Sequence, residues 1–337
     1  MNQLYLIVRS VKRSVWQLAK LPREIKNFGF AFAIRDIWFN IVLKWTDSYN
    51  AYEVLHQLIF KYLKAKYPNY LVRLQNEKLT FNDTQVKIVW VMWWQGFDKA
   101  PEIVKGCQKQ LQKYCPNYKI IQLTKDNYKQ YANIPDYIIK KAENGNISLT
   151  NLSDVIRMDL LARHGGLWID STVLLTHRLD AGILDYPFYS IKGKMVKNNS
   201  VSKYQFCTFF MYSKQNNSYF NFIRDFLFDY WKDHDMTIHY LLIDYIMVLA
   251  TMYNEDYKKM LNDIPFSNPM LHELRENFNT EYTEELWEKC VLTLIYINCL
   301  ISLKLMKKQL EVKIPFGIAL RLHCFAKNDK STEAKVM

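Results

Sequence analysis

The chain has 337 residues, of which 50% are hydrophobic and 15% aromatic, so it can bury a large core. This composition excludes a disordered or fibrous protein and leaves one large domain, or a domain with an appendage. The formal net charge of +12 is concentrated at the start, because residues 1–80 contain 13 Lys or Arg and only 5 Asp or Glu.

Residues 1–75 are predicted to form helices. In the first of them, apolar residues recur every three or four positions, and basic residues fill the positions between them. The apolar set is Leu4, Ile7, Val11, Val15 and Leu18. This pattern is typical of a basic amphipathic helix on an anionic membrane surface, and equally of a helical arm with a solvated charged face. No recognised nucleic-acid-binding module accompanies the charge, so nucleic acid is not an expected partner.

The longest apolar segment of the N-terminal region, residues 28–45, carries Arg35 and Asp36 at its middle. Charges at that depth oppose insertion into a bilayer, so the segment is predicted to be a core or interfacial helix. The N-terminus shows no secretory signal, and the six cysteines form no CxxC pair and no zinc-like spacing. We therefore expect a cytoplasmic protein with reduced thiols.

The hydrophobic pattern changes at Val86. The run "VKIVWVMWWQG" is β-branched and aromatic and ends at Gly96, which predicts a buried strand followed by a tight loop. A helix is predicted to begin near Pro101 and to end before Pro116, and "YKIIQLT" then predicts a second strand. Strand, helix and strand over residues 86–124 form a βαβ unit by default, so an α/β fold with a parallel core is predicted.

The stretch "NLSDVIRMDLLARHGGLWIDSTVLLT", residues 151–176, places three aspartates and a double glycine among apolar runs. Ser153 is expected to cap a helix that carries Asp154 and Arg157 in its first turn. The glycines are expected to turn the chain into a strand that returns over the length of that helix, about 16 Å.

The returning strand ends at Asp170, which is therefore expected to lie beside Asp154 and Arg157. Open α/β sheets bind ligands at this edge, and two acids with an arginine suit hydroxyls and phosphates, with a divalent cation as a further bridge. A structural explanation fits about equally well. The helix dipole favours an early aspartate, Arg157 can pair with a carboxylate, and a glycine pair can serve only as a turn.

This stretch and the upstream block "IVWVMWWQGFDKAPEIVKGCQKQLQKYCPNYKIIQLTKDNY" resemble the capsular polysaccharide synthesis glycosyltransferases, relatives of transferases with a DxD sugar-binding region and similar to glycosyltransferase family 32. The likeness covers about residues 86–180 and continues more weakly to about residue 250. It implies a GT-A-like, Rossmann-type nucleotide-binding core with a mixed, mostly parallel sheet. The corresponding division is a basic helical arm (1–80), a glycosyltransferase domain (81–290) and a C-terminal tail of uncertain structure (291–337).

The resemblance also implies which residues contact the nucleotide sugar. They are Trp94, Gln95, Gly96, Asp154, Arg157, Gly165 and Gly166. Asp170 corresponds to the first acid of the DxD-like element, whose third position is Thr172. Coordination of Mn²⁺ or Mg²⁺ therefore depends on Asp170, with at most a hydroxyl from Thr172. Arg157 and such a cation are candidates to meet the charge of the leaving nucleoside diphosphate.

Asp244 is an acid inside an apolar helical pattern and is the candidate base for the acceptor hydroxyl, with a structural acid as the competing interpretation. The implied function is a glycosyltransferase of surface or capsular polysaccharide synthesis that takes a nucleotide sugar, first of all a UDP-sugar, and retains anomeric configuration. Its acceptor is expected to be a lipid-linked oligosaccharide, with the basic arm holding the protein peripherally at the inner face of the plasma membrane.

A catalytically weak or inactive sugar-nucleotide-binding scaffold of the polysaccharide machinery is the alternative, and Thr172 in place of a second acid favours it. A nucleotide-dependent dehydrogenase is less favoured, because no GxGxxG turn follows the first strand.

Overall fold

The computed structural model describes residues 3–41, 49–193, 200–267, 285 and 296–298. As predicted, the described part of residues 1–75 is helical. Gly29, with a φ of 84°, separates the first two helices, and Pro68 begins the fourth. The four helices are α1 (Gln3–Phe28), α2 (Phe30–Ile41), α3 (Tyr49–Lys66) and α4 (Pro68–Asn76).

Short strands follow, and most of them form one sheet. The strands are β1 (Ile88–Met92), β2 (Lys119–Leu123), β3 (Gly166–Ile169), β4 (Val173–Leu175), β5 (Phe188–Ser190), β6 (Phe210–Ser213) and β7 (Tyr296–Asn298). The five-stranded sheet has the order β2-β1-β3-β6-β5, and β4 pairs with β7 in a separate two-stranded sheet.

The five-stranded sheet is mixed, as expected, but fewer of its strand pairs are parallel than expected. β1 pairs in parallel with β2 and with β3, with Val89 opposite Ile120 on one side and Leu167 on the other. β6 runs antiparallel to both β3 and β5. Among the described residues between β3 and β6 there is no α-helix, and antiparallel neighbours, unlike parallel ones, need no crossover helix. The Rossmann-type GT-A arrangement stays a prediction.

The remaining helices surround this sheet. They are α5 (Glu102–Tyr114), α6 (Asp136–Glu143), α7 (Leu149–Arg163), α8 (Ser218–Asp233), α9 (Leu242–Tyr253) and α10 (Glu255–Asn262). The succession β1, α5, β2 confirms the predicted strand, helix and strand, with the strands parallel. Pro101 is the N-cap residue of α5, where its lack of an N–H has no cost.

α7 is the central helix of the core. Eleven of its 15 residues are buried, and it packs against α8 on one side and against β3 and β6 on the other. A helix enclosed on all sides must bury its polar residues too, so Asp154, Arg157 and Asp159 are removed from water and need partners. The partners of Asp154 and Arg157 lie where β3 ends.

The N-terminal helices share the core with the α/β part. Leu55, Ile59 and Leu63 of α3 and Leu74 of α4 are buried in the same apolar cluster as the strands. The proposed domain boundaries at residues 80 and 290 stay predictions, and most of the expected C-terminal tail lies outside the described residues. Among the helices that the structure describes, none combines the length and the hydropathy needed to cross a bilayer.

Candidate functional site

The helix that carries Asp154 and Arg157 begins earlier than the sequence suggested. Its N-cap is Ser148, whose Oγ accepts a hydrogen bond from the backbone N–H of Asn151 at 3.1 Å. The expected cap, Ser153, lies inside the helix. Asp154 and Arg157 therefore occupy the second and third turns, where the helix dipole no longer accounts for a buried acid.

The double glycine makes the predicted reversal from α7 into β3. Gly165 and Gly166 have φ values of 66° and 89°, in the left-handed region that favours glycine. A Cβ on Gly165 would lie 2.6 Å from the backbone O of Ser213, and one on Gly166 would lie 2.8 Å from the backbone O of Ile88. The pair lies at the start of β3, whereas Asp170 follows its end. The two glycines set the position of Asp170 from the opposite end of β3, and their expected contact with the nucleotide stays a prediction.

The structure brings Asp154, Arg157 and Asp170 together, as the spacing predicted. Nη2 of Arg157 lies 3.0 Å from Oδ1 of Asp170 and 3.4 Å from Oδ1 of Asp154. Nη1 donates to the backbone O of Thr208 at 2.6 Å. Arg157 is buried, so these bonds to ionised and carbonyl groups are stronger than the same contacts in water.

Asp170 is fixed at one oxygen and available at the other. Its Oδ1 also accepts a hydrogen bond from Nε1 of Trp168 at 2.7 Å, and the guanidinium of Arg157 lies 4.8 Å from the centre of the Trp168 ring. The side chain of Asp170 is 29% exposed, and Oδ2 has no hydrogen-bond partner among the described residues. A carboxylate held in this way presents one oxygen for a ligand at the end of β3.

The predicted β-like run is interrupted at this point. The backbone N–H of Val173 donates to the carbonyl of Asp170 at 2.9 Å, so Asp170 and Thr172 lie in a turn between β3 and β4. Carboxylates after the end of a parallel strand occupy the position where open α/β sheets bind ligands.

A third carboxyl group, that of Asp244, approaches Asp154 and Arg157 from the first turn of α9. Burial first, and then the charge of Asp154, raise the pKa of Asp244 to about 7 although Arg157 acts to lower it. Burial likewise raises the pKa of Asp154 to about 7, against the effect of Arg157 and with that of Asp170. Near neutral pH these two groups therefore hold a proton that an exposed aspartate would have lost.

Two buried polar atoms of this cluster lack a partner in the part of the chain that the structure describes: Nε of Arg157 and Oδ2 of Asp244. Unsatisfied buried polar atoms are rare, and near the end of a strand they indicate a place for water or for a polar ligand. Tyr240, just before α9, stands at the rim of the cluster and is 67% exposed. Partial desolvation, and then the carboxylates of Asp154 and Asp170, raise the pKa of its hydroxyl.

A divalent cation fits this donor set only with help from a ligand. The described residues contain no group of three or more His, Cys, Asp or Glu that could hold a metal ion. Asp170 offers one free carboxylate oxygen, and Thr172 offers a hydroxyl two residues later. Mg²⁺ commonly binds through one or two carboxylates plus substrate phosphates, so phosphate oxygens would have to complete the coordination.

Trp94 lines a cavity of about 350 Å³ beyond the ends of β1 and β2. Its indole lies 5.3 Å, centroid to centroid, from the ring of Tyr128, with the planes inclined by 40°. Lys125 and Lys129 also line this cavity. The two strand ends are joined by a hydrogen bond from the backbone N–H of Lys125 to the carbonyl of Trp94 at 3.1 Å.

The other two residues of the predicted nucleotide loop have different places. Gly96 has a φ of 89° and begins a short 3-10 helix, so it serves the turn, and Gln95 is exposed beside it. Neither lines the Trp94 cavity. Asp159, which shares the apolar neighbourhood, is also not part of the site, because it accepts from the backbone N–H of Asn133 at 2.7 Å and pairs with Arg163.

Several residues of the site were not predicted. Trp168 could have been found, since a residue two positions before Asp170 faces the same side of a strand. Thr208, Tyr128 and Tyr240 carry no local signal, because only the tertiary fold brings them to this edge.

In a comparison with known families, the family described as capsular polysaccharide synthesis protein matches residues 40–300, more than three quarters of the chain. Neither the curated proteins nor the solved structures gave a match. The match includes the α7 to β3 turn, Asp170 and the Trp94 cavity. The chain belongs to the capsular polysaccharide synthesis protein family.

Proposed function

We propose that this protein is a glycosyltransferase that moves a sugar from a nucleotide sugar to an oligosaccharide acceptor during capsular polysaccharide synthesis. The observation that supports it most is the carboxylate of Asp170, held by Arg157 and Trp168 at the end of β3 with one oxygen available. Family membership supplies the polysaccharide context. The GT-A-like character of the core is part of the proposal.

The donor site extends along one edge of the sheet. β1, β2 and β3 are parallel, so the Trp94 cavity and Asp170 lie at the same carboxyl edge. Because β1 separates β2 from β3, the ends of those two strands are about 10 Å apart. A nucleoside diphosphate sugar can reach across that distance, with the base at one end and the sugar at the other.

In this arrangement the base stacks on Trp94 or Tyr128, as aromatic side chains favour. Lys125 and Lys129 line the same cavity, and their amines are proposed to supply positive charge for the phosphates. Asp170 and Thr172 face the diphosphate and sugar end, directly or through Mn²⁺ or Mg²⁺. A bound cation would supply positive charge to the departing diphosphate. UDP-sugars are the first donors to test.

For Arg157 we propose a role that differs from the one expected from the sequence. Its guanidinium is buried and already bonded to Asp154, Asp170 and the carbonyl of Thr208. We propose it as a positioning residue for Asp170, not as the cation that meets the leaving group.

In the reaction, the acceptor hydroxyl oxygen bonds to C1 of the sugar as the bond from C1 to the phosphate oxygen breaks. The electron pair of the broken bond stays on the nucleoside diphosphate, and the hydroxyl proton must be accepted. Asp244 is proposed as the proton acceptor, because a carboxyl with a pKa of about 7 can exchange a proton at neutral pH. Retention of configuration, suggested by the relatives, and a lipid-linked acceptor at the inner face of the plasma membrane belong to the same proposal.

The test uses the purified full chain with a panel of nucleotide sugars, with and without Mn²⁺, and measures release of nucleoside diphosphate. Asp170→Asn should lower turnover by about 100-fold or more while the thermal unfolding temperature changes little, since the asparagine can still accept from Trp168. Asp136→Asn, an exposed acid in the first turn of α6, is the matched control and should keep full activity. Equal turnover in Asp170→Asn and wild type would refute the proposal.

A scaffold that binds sugar nucleotides without turnover is the second candidate. It is favoured by Thr172, which stands where a second acid would help to hold a cation, and by the lack of a three-ligand metal group among the described residues. Calorimetric titration with nucleoside diphosphates distinguishes the two: binding without release from any donor supports the scaffold.

A further inference from the structure

The solvent-exposed side of the hairpin formed by α1 and α2, its outer face, carries large apolar side chains. Phe30, Ile34 and Trp38 follow one another at intervals of four in α2 and therefore share one face of that helix. All three are exposed, Phe30 at 67% and Trp38 at 53%. On α1, Val15, Trp16 and Leu18 are exposed as well. Large apolar side chains in this number on one pair of helices mark an interaction surface.

The exposure does not come from an undocked hairpin. Phe32 and Phe39, on the opposite face of α2, are buried in the core. Phe28 at the end of α1 stacks on the buried ring of His234, with the centroids 5.3 Å apart. Asn27 accepts a hydrogen bond from the backbone N–H of Asp235 at 2.6 Å. The hairpin is fixed to the body of the protein, so its outer face is a defined surface.

This face also carries positive charge without exposed carboxylates. Residues 14–41 contain two acids, Glu24 and Asp36, and both are buried where α1 meets α2. Arg35 is exposed in α2. The amine of Lys20 lies 3.4 Å from the centre of the exposed Trp16 ring, a cation and aromatic pair on the outside of α1.

We propose that the outer face of the α1–α2 hairpin docks on an anionic lipid bilayer. Its phenylalanine, isoleucine and tryptophan side chains enter the boundary between headgroups and acyl chains, and its cations meet the headgroups. Tryptophan suits this boundary because its ring is apolar and its N–H polar. An acidic protein would also attract the cations, but a surface with an apolar stripe and no carboxylate of its own offers it no reciprocal ion pairs. Docking is peripheral, and the proposal does not depend on the proposed transfer reaction.

The test is flotation of the full chain with phosphatidylcholine vesicles and with vesicles that also contain phosphatidylglycerol. Wild type should bind the anionic vesicles at least about tenfold more strongly than the neutral ones, and high salt should weaken that binding. Ile34→Ser/Trp38→Ser should lose about tenfold or more of the binding. Val54→Ser/Val72→Ser removes two exposed apolar side chains from α3 and α4 and is the matched control, which should bind as wild type does.

Nucleotide-sugar turnover in solution should be the same in all of these proteins, so failure of docking and failure of the proposed function can be told apart. Equal binding of the Ile34→Ser/Trp38→Ser variant and wild type would overturn the proposal, as would absence of wild-type binding to anionic vesicles. Sedimentation without lipid gives a further outcome. If wild type is a dimer and the double variant a monomer, the face is an interface between copies of the chain, and the proposal is wrong.

Discussion

Two regions of this molecule bury a pair of carboxyl groups, and they use the pair differently. At the sheet edge, Asp154 and Asp244 are buried beside Arg157, and the pKa of each is raised to about 7. In the α1–α2 hairpin, Glu24 and Asp36 are buried, and burial together with the charge of Asp36 raises the pKa of Glu24 to about 7.

The surroundings differ although the shifts are alike. Arg157 links one pair to Asp170, which lies at the end of a parallel strand with an oxygen available. The hairpin pair lies within two helices, and its burial removes negative charge from an apolar and basic face. A raised carboxyl pKa therefore does not identify a ligand site by itself. Two features distinguish the first region. One is the strand end, and the other is the clamp on Asp170, formed by Arg157 and Trp168, which both donate to its Oδ1.

The largest expected effect comes from removing the clamp. Arg157→Met leaves two acids of the cluster without their cation, so the free energy of unfolding should fall by about 3–5 kcal/mol. Lys105→Met, which breaks an exposed pair with Glu102 at 3.2 Å, should cost less than about 1 kcal/mol. Urea denaturation measures both. A loss for Arg157→Met as small as that for Lys105→Met would mean that the clamp does not stabilise the site.

Next in size is the effect of the glycine turn. Gly165→Ala combines left-handed strain, about 1–2 kcal/mol, with a Cβ placed 2.6 Å from the carbonyl of Ser213, so its cost should exceed that range. Gly29→Ala in the hairpin has a similar φ of 84° but open space around the Cβ, so only the strain applies. Thermal unfolding of the two variants compares the regions directly. Equal decreases in unfolding temperature would show that the turn into β3 accommodates the added methyl group of Gly165→Ala without a further cost in stability.

The effect that is smallest per step of one pH unit is a pH dependence of the free energy of unfolding. A folded-state pKa of about 7, above the ordinary 3.8 of Asp244 or 4.5 of Glu24, means that the folded chain keeps a proton that the unfolded chain has released. Stability should therefore fall as the pH rises from about 4 to about 7, by at most about 1.4 kcal/mol per pH unit for each group, and level off above.

Asp244→Asn and Glu24→Gln should each flatten this dependence in urea denaturation between pH 5 and pH 8. Their activities should differ, because only Asp244 is proposed to accept the acceptor proton. Unchanged nucleotide-sugar turnover in Asp244→Asn would remove that role, and lost turnover in Glu24→Gln would show that the two pairs are not functionally distinct.

Local patterns predicted much of the fold. β-branched runs predicted β1 and β2, helical spacing predicted the N-terminal helices, and Pro101 marked the start of α5. Patterns of burial and periodicity do not encode which side chain caps a helix. The prediction of Ser153 as the N-cap of α7 is therefore wrong, and the N-cap is Ser148. The antiparallel pairing of β6 with β3 is a contact between segments distant along the chain, and no local sequence pattern contains it.

The sequence by itself determined that the helix from Asp154 onward and the strand that ends at Asp170, which rise by about the same distance and meet at two glycines, return Asp170 to Asp154 and Arg157. Helix rise and strand rise fix that result without any contact from elsewhere. Only the tertiary structure decided that Arg157 is bonded to Thr208 and that Asp244 joins the cluster from α9. The physical reason is that desolvation and hydrogen-bond partners come from segments distant along the chain, and these set the charge state of a buried group.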